Sequence, residues 1–320
     1  MSRLAIPAIL VVAGLALSGC APQPPEILVP EAEGLVTDNC GTPVEITTAP
    51  KRVITIKSTS TEMLLALGLG DLIIGTGFQD GPVPDEWAAD AASIPVLSEM
   101  VPGQEAVLDA EPDFIYAGWE SNFSDEGAGD REELATLGVN TYVSPAACKE
   151  PGYKPEKLDF AEINREIGEV ASIFQTDGSA LIEEQEAIVA GIEPDSRGLT
   201  ALWYSSGTDT PYVGAGIGAP ELVLETIGLE NIAGDIKDTW SPFGWEAVVD
   251  ANPDVIVLVD ATWNTAESKI ALLESNPATK NLDAVKNSRY LYIPFAAGEA
   301  GVRTAPAAAD LAEQLAVLSF

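Results

Sequence analysis

The 320-residue chain carries 50 Asp and Glu against 16 Lys and Arg and no histidine, a formal charge of −34. That balance excludes a nucleic-acid partner, whose phosphates call for a basic face. The missing imidazole excludes Ser-His-Asp and Cys-His nucleophiles, His-ligated zinc and a histidine haem ligand.

Apolar residues make up 46% of the chain, enough for one large or two medium folded domains. Residues 1–20 read as a secretion signal: Arg3, an apolar run from Leu4 to Leu17, then Ser18-Gly19-Cys20. The run falls short of the roughly 20 apolar residues that a membrane span needs. Leu17-Ser18-Gly19-Cys20 resembles the bacterial lipobox, which implies a diacylglycerol on the Cys20 thiol and cleavage just before it; an ordinary cleaved signal is the alternative. Residues 21–35, opening with Ala21-Pro22-Gln23-Pro24-Pro25, suit a flexible tether. The mature protein is thus expected outside the cytoplasm, lipid-anchored to the outer face of the cell membrane. Cys40 and Cys148 sit in polar, turn-like settings, and in an oxidising compartment they favour a disulfide over two free thiols. No C-x-x-C spacing marks a redox pair.

From Arg52 onward, short β-branched runs alternate with helical stretches. Strands are expected at Val53–Ile56, Asp71–Gly75, Asp113–Tyr116 and Thr141–Val143, with helices at Glu62–Leu69 and Asp130–Leu137. The second half repeats the scheme with strands Leu199–Tyr204, Asp254–Val259 and Tyr290–Ile293 and a helix at Pro220–Ile227. This alternation argues for α/β lobes with mainly parallel sheets. Between the halves, Ile163, Ile167, Val170, Ile173 and Phe174 follow the helical period, continued by Leu181, Ile182, Ile188 and Val189 after a break at residues 176–179. The second helix, about 15 residues or roughly 22 Å long, is expected to be a stiff strut between lobes. The expected division is an N-terminal lobe over 36–175, a connecting helix over 176–195 and a C-terminal lobe over 196–320.

An internal echo supports two similar lobes. Glu105-Ala-Val-Leu-Asp-Ala-Glu-Pro-Asp113-Phe-Ile matches Glu246-Ala-Val-Val-Asp-Ala-Asn-Pro-Asp254-Val-Ile at eight of eleven positions. Each copy reads as a short helix, a Pro-Asp turn and a buried strand.

These segments, with Pro50–Ile56, Glu62–Gly68, Asp71–Gly75 and the C-terminal Pro277–Tyr290 region, resemble the class III solute-binding proteins, receptors of importers for ferric siderophores, haem and cobalamin. The resemblance implies two α/β lobes joined by one long helix, with the ligand held between them. It also implies a monomer that binds a small molecule, performs no chemistry, needs no cofactor or metal, and delivers its ligand to an ABC permease dimer with its ATPase. In that family an exposed Glu at the head of the echoed helix docks on the permease; the matching positions are Glu105 and Glu246. Rim charges steer docking, although each Glu would also favour its helix N-terminus through the macrodipole.

In an open α/β sheet the ligand meets the loops after the strand C-termini. That rule nominates Lys57, Ser58, Thr59, Ser60, Thr61, Trp119, Glu120, Ser121, Asn122, Ser144, Trp203, Tyr204, Ser205, Ser206, Trp263, Asn264 and Phe295, and Trp240, just ahead of the second echoed helix, stands within reach of the cleft. Trp119, Trp203, Trp240 and Trp263 suit a flat or bulky ligand stacked on indoles, with core packing as each one's alternative. Lys57 and Arg303 are scarce cations that would mark an anionic group in the cleft. Ser58–Thr61 is either a plain N-cap or an anion contact. A finer resemblance, carried by Thr55–Thr59, Tyr142–Lys149, Leu199–Gly207, Pro211–Pro220 and Val259–Glu267, is to an actinobacterial branch proposed to import the deazaflavin precursor of coenzyme F-420 lacking its glutamate tail. A ferric-siderophore, haem or cobalamin receptor is the alternative. An enzyme reading rests on Gly214-Ala215-Gly216-Ile217-Gly218-Ala219, which fits the nucleotide-binding pattern G-x-G-x-x-A; a surface scaffold is the third class.

Overall fold

The computed structural model of the protein describes residues 35–320, so the signal, Cys20 and nearly all of the tether lie outside the described residues. Leu35 already belongs to a strand, which pairs antiparallel as Leu35–Asn39 with Thr42–Ile46 around a two-residue turn. Cys40 and Gly41 both have positive φ there (52° and 81°), the backbone that tight hairpin turns require.

Two sheets follow. The first has five strands, all parallel, in the order Val96–Ser98, Ile73–Gly77, Val53–Ile56, Phe114–Ala117, Asn140–Val143. The second is mixed: Trp240–Pro242, Tyr212–Gly214, Thr200–Ser206, Val255–Asp260, Tyr290–Pro294, with the short Glu230–Asn231 also on Thr200–Ser206. Its Thr200–Ser206, Val255–Asp260 and Tyr290–Pro294 strands run parallel. Val53–Ile56 and, up to its exposed Asp260, Val255–Asp260 are buried runs rich in Val and Ile, as expected for strands covered on both faces.

In each sheet the chain works outward from one central strand and then crosses to the other side of it. The topological switch points therefore fall between Val53–Ile56 and Phe114–Ala117, and between Thr200–Ser206 and Val255–Asp260. Ligands of such sheets sit at the strand C-termini beside these points.

The sequence echo has a physical basis in the turn. Glu111 and Asn252 occupy matching positions, both left-handed (φ 50° and 42°), just before the Pro-Asp pair. Asp113 then accepts from the backbone N–H groups of Lys51 and Arg52 at 2.9–3.1 Å. Asp254 accepts from the Thr200 N–H at 2.9 Å and from its hydroxyl at 3.0 Å. Each Pro-Asp thus stitches its own strand to the start of the neighbouring central strand.

Between the sheets run helices Phe160–Ile173 and Ser179–Ala190. The second has 12 residues, about 18 Å, and packs on the C-terminal helix Thr304–Ala316. The first buries Ile163, Ile167, Val170 and Ile173 against the parallel sheet in a core that also takes in Ala219, Leu222 and Val302 from the second half. The two halves therefore share apolar packing as well as a cleft.

Candidate functional site

A cavity of about 900 Å3 opens where the C-terminal ends of both sheets face each other. Two further cavities of about 350 Å3 lie along helix Phe160–Ile173 and beside Arg303. The large one is walled by aromatic rings and has the size of a small-molecule site.

Its floor is built on Lys57, the residue between strand Val53–Ile56 and helix Ser58–Ala66. Lys57 has φ 83° and ψ 151°, a region that essentially only glycine enters and that clusters at ligand clamps. Its side chain is fully buried, and its ammonium pairs with Asp80. The Nζ lies 3.9 Å from the ring centre of Trp119, 4.5 Å from Phe78 and 5.0 Å from Phe295. Such a cage stabilises a desolvated cation. Asp80 is fixed in turn by Ser58, whose hydroxyl accepts the Asp80 N–H at 2.8 Å and whose own N–H donates to Oδ2 at 3.3 Å.

Trp119 follows strand Phe114–Ala117 and donates through Nε1 to Oε2 of Glu299 at 2.5 Å. On the opposite wall Trp240 stacks parallel to Phe295 (5°, centroids 6.5 Å), and Trp263 meets Phe295 at 62° and 5.8 Å. Trp263 remains 62% exposed at the mouth, together with Met100 and Tyr212. The short loop carrying Trp263 is pinned by buried Lys269, which donates to the carbonyls of Val259 and Asn264 at 2.6 Å each. Desolvation lowers Lys269 to about 8.

Of the nominated residues, Lys57, Thr59, Trp119, Ser121, Ser144, Ser205, Ser206, Trp240, Trp263 and Phe295 are brought together in the cleft. Ser58 stands behind Asp80. Trp203 and Tyr204 lie outside the cleft wall, a correction to the expectation from strand ends. Their strand runs on to Ser206, so they lie within the sheet and, of the nominated stretch 203–206, Ser205 and Ser206 alone reach the cleft. Trp203 is buried beneath Gly298, and Tyr204 faces Trp245 and donates to the Gly207 carbonyl at 2.6 Å.

Arg303 is likewise turned away from the cleft. It donates to Glu62 at 3.1 Å and borders one of the smaller cavities. Neither cation expected to mark an anionic group is free for one: Lys57 is held by Asp80 and Arg303 by Glu62. At the mouth, exposed Lys149 forms no ion pair among the described residues.

Glu105 and Glu246 are exposed in the first turns of helices Gln104–Asp109 and Trp245–Ala251. Cys40 and Cys148 are joined, with Cα atoms 5.3 Å apart, which ties the N-terminal hairpin to a loop in the cleft wall. Tyr212–Gly214, the strand ahead of Gly214–Ala219, is antiparallel to its neighbour, so the glycine pattern does not sit in the parallel strand–helix unit that a dinucleotide site needs. Among the described residues no group of three His, Cys, Asp or Glu is placed to hold a metal, and no helix is long and apolar enough to cross a membrane.

Sequence reasoning missed Phe78, Asp80 and Glu299. The first two follow a strand that ends at Gly77, two residues beyond its expected end, and a correct end would have nominated them. Glu299 had no local signal.

The family model for periplasmic binding proteins matches residues 53–297. An ABC transporter substrate-binding lipoprotein of Bacillus subtilis is 24% identical over 88% of this chain and 84% of its own length. A cobalamin-binding protein of Halobacterium salinarum is 27% identical over 78% of this chain and 67% of its own. Among solved structures, a periplasmic binding protein from Veillonella parvula superposes with TM-score 0.79 at 23% identity, covering 90% of this chain and 99% of that one. With the model spanning most of the chain and the cleft lying where its sheets converge, the protein belongs to the periplasmic binding protein family.

Proposed function

We propose that the chain is the lipid-anchored, extracytoplasmic receptor of an ABC importer, holding a bulky, partly aromatic ligand between its two lobes and passing it to a permease through Glu105 and Glu246. The observation that carries this reading is the cavity of about 900 Å3 at both switch points, walled by Phe78, Trp119, Trp240, Trp263 and Phe295. Burying a ring system against such walls supplies most of the affinity, and a few polar groups orient it. Lobe boundaries at residues 36–175 and 196–320, a Cys20 anchor and a monomeric receptor complete the proposal.

The deazaflavin precursor of coenzyme F-420 remains the favoured ligand by its flat tricycle. Its anionic end would have to face Lys149 at the mouth, because Lys57 and Arg303 are already paired. Cobalamin is the second reading, favoured by the Halobacterium relative.

Titration of intrinsic tryptophan fluorescence of the full chain in detergent, with the deazaflavin precursor, cyanocobalamin and a ferric hydroxamate in parallel, tests the reading. Saturable quenching at micromolar or lower concentration by one of them is expected; no saturation by any of the three overturns it. Replacing both Glu105 and Glu246 by Ala should leave that affinity intact and abolish cellular uptake. Substituting Cys20→Ala should abolish incorporation of labelled fatty acid into the protein.

A further inference from the structure

Glu299 follows the turn Phe295–Gly298 and lines the cleft floor, yet is only 7% exposed. Its Oε2 accepts the Trp119 indole N–H, whereas Oε1 is shielded and has no hydrogen-bond partner in the protein. Four other buried side-chain atoms among the described residues are unpartnered, on Asn164, Gln185, Trp203 and Tyr290, and none of these residues lines this cleft. Unpaired buried polar atoms are uncommon and destabilising. Burial pushes the Glu299 carboxyl up to about 7; Lys57 and the Trp119 hydrogen bond pull it down, and Asp80 adds to the rise. The main chain holds the residue in place, since its carbonyl accepts from the Thr304 hydroxyl at 3.3 Å.

We propose that the free Glu299 oxygen is the polar reading point of the cleft and accepts an amide or imide N–H on the edge of a large, uncharged ring system. The inference rests on the reading of this cleft as a ligand site. Above pH 7, where the Glu299 carboxyl is ionised, a hydrogen bond to it is charge-assisted and roughly twice as strong as a neutral one, and the same carboxylate disfavours an anionic edge; the titrations that test it are therefore run at pH 8. The floor reinforces that preference, because its cation is committed to Asp80 and to three rings, so an anionic group finds opposite charge only at the mouth, on Lys149 and Lys154. Carboxamide-bearing macrocycles such as cobalamin fit, as does the pyrimidinedione imide of a deazaflavin. Haem, whose edge presents no N–H, does not.

Fluorescence titration of the full chain in detergent with cyanocobalamin, the deazaflavin precursor and haemin, on wild type and Glu299→Gln, tests the inference. Gln keeps a carbonyl for Trp119 but turns an NH2 donor toward the ligand's N–H. The expected result is that an amide or imide probe binds wild type more tightly than haemin does and loses about ten- to hundred-fold in affinity in E299Q. The second variant, Glu299→Asp, withdraws the carboxylate by one methylene and should lose affinity in the same direction if E299Q does not fold. Unchanged affinity in the folded variant, or haemin binding more tightly than both other probes, overturns this inference and leaves the receptor reading standing. Saturation by none of the probes overturns this inference, and the receptor reading falls with it only if the ferric hydroxamate fails to saturate as well.

Discussion

The guanidinium of Arg303, ahead of the C-terminal helix, donates through Nη1 to Oε1 of Glu62 on helix Ser58–Ala66 at 3.1 Å, a bond between side chains 241 residues apart. Glu62 is 1% exposed, and burial raises its carboxyl to about 7 although Arg303 pulls it down. Removing one partner of a buried pair leaves an uncompensated charge. Arg303→Ala should therefore lose about 3–5 kcal/mol at pH 8, read by urea unfolding. The loss should shrink at pH 5, where the abandoned carboxyl takes up a proton.

Glu166 sits beneath the parallel sheet, 2% exposed, accepting from the Tyr116 hydroxyl at 2.6 Å and from Ser144 at 3.1 Å. Burial lifts it to about 7 against those bonds and Arg165, with Glu169 adding to the rise. Because this value lies above the unfolded one of about 4.5, the native state keeps a proton that the unfolded chain releases. Its contribution is fully present below pH 4.5 and is lost as pH climbs through 7. Thermal melts should show Glu166→Gln losing less stability than wild type between pH 5 and pH 8; parallel curves would contradict the assignment.

The bond between Cys40 and Cys148 closes a loop with a sequence separation of 108. Replacing both by Ala should lower unfolding free energy by about 2–4 kcal/mol. The same pair anchors the cleft loop that carries Lys149, so the double variant should also bind ligand more weakly. Urea midpoints and fluorescence titration check the two effects separately.

Lys269 holds the Trp263 loop through two carbonyls. Lys269→Met fills the space but leaves both acceptors unpaired, at about 1–3 kcal/mol each. Trp263 should become more mobile, seen as lower fluorescence anisotropy in a protein with Trp263 as its sole indole, and bound ligand should quench it less.

Much of the fold was legible because it is local. The Pro-Asp echo carried both helix–turn–strand units, since Pro112 and Pro253 fix the turn and Asp113 and Asp254 can reach only the adjacent strand start. The cleft was half legible. Lys57, Trp119, Trp240 and Trp263 follow from the rule of strand ends, whereas Trp203 and Tyr204 were misplaced by two residues of strand length. Asp80 for Lys57, Glu62 for Arg303 and Glu299 for Trp119 are partners chosen by tertiary approach. No periodicity or spacing records which acidic residue among 50 will meet a given cation.

Phe295 against Lys57, Glu299 on Trp119 and Arg303 on Glu62 all belong to one stretch of nine residues, and each reaches into the first half of the chain. Fastenings so closely spaced would serve as an axle: a rotation about them would move the buried floor hardly at all, while Met100 on one lip and Tyr212 and Trp263 on the other would swing through the widest arc. Small rearrangements at Glu299 would then be magnified at the entrance, and a permease gripping the lobes from outside would have leverage on the mouth without disturbing the base.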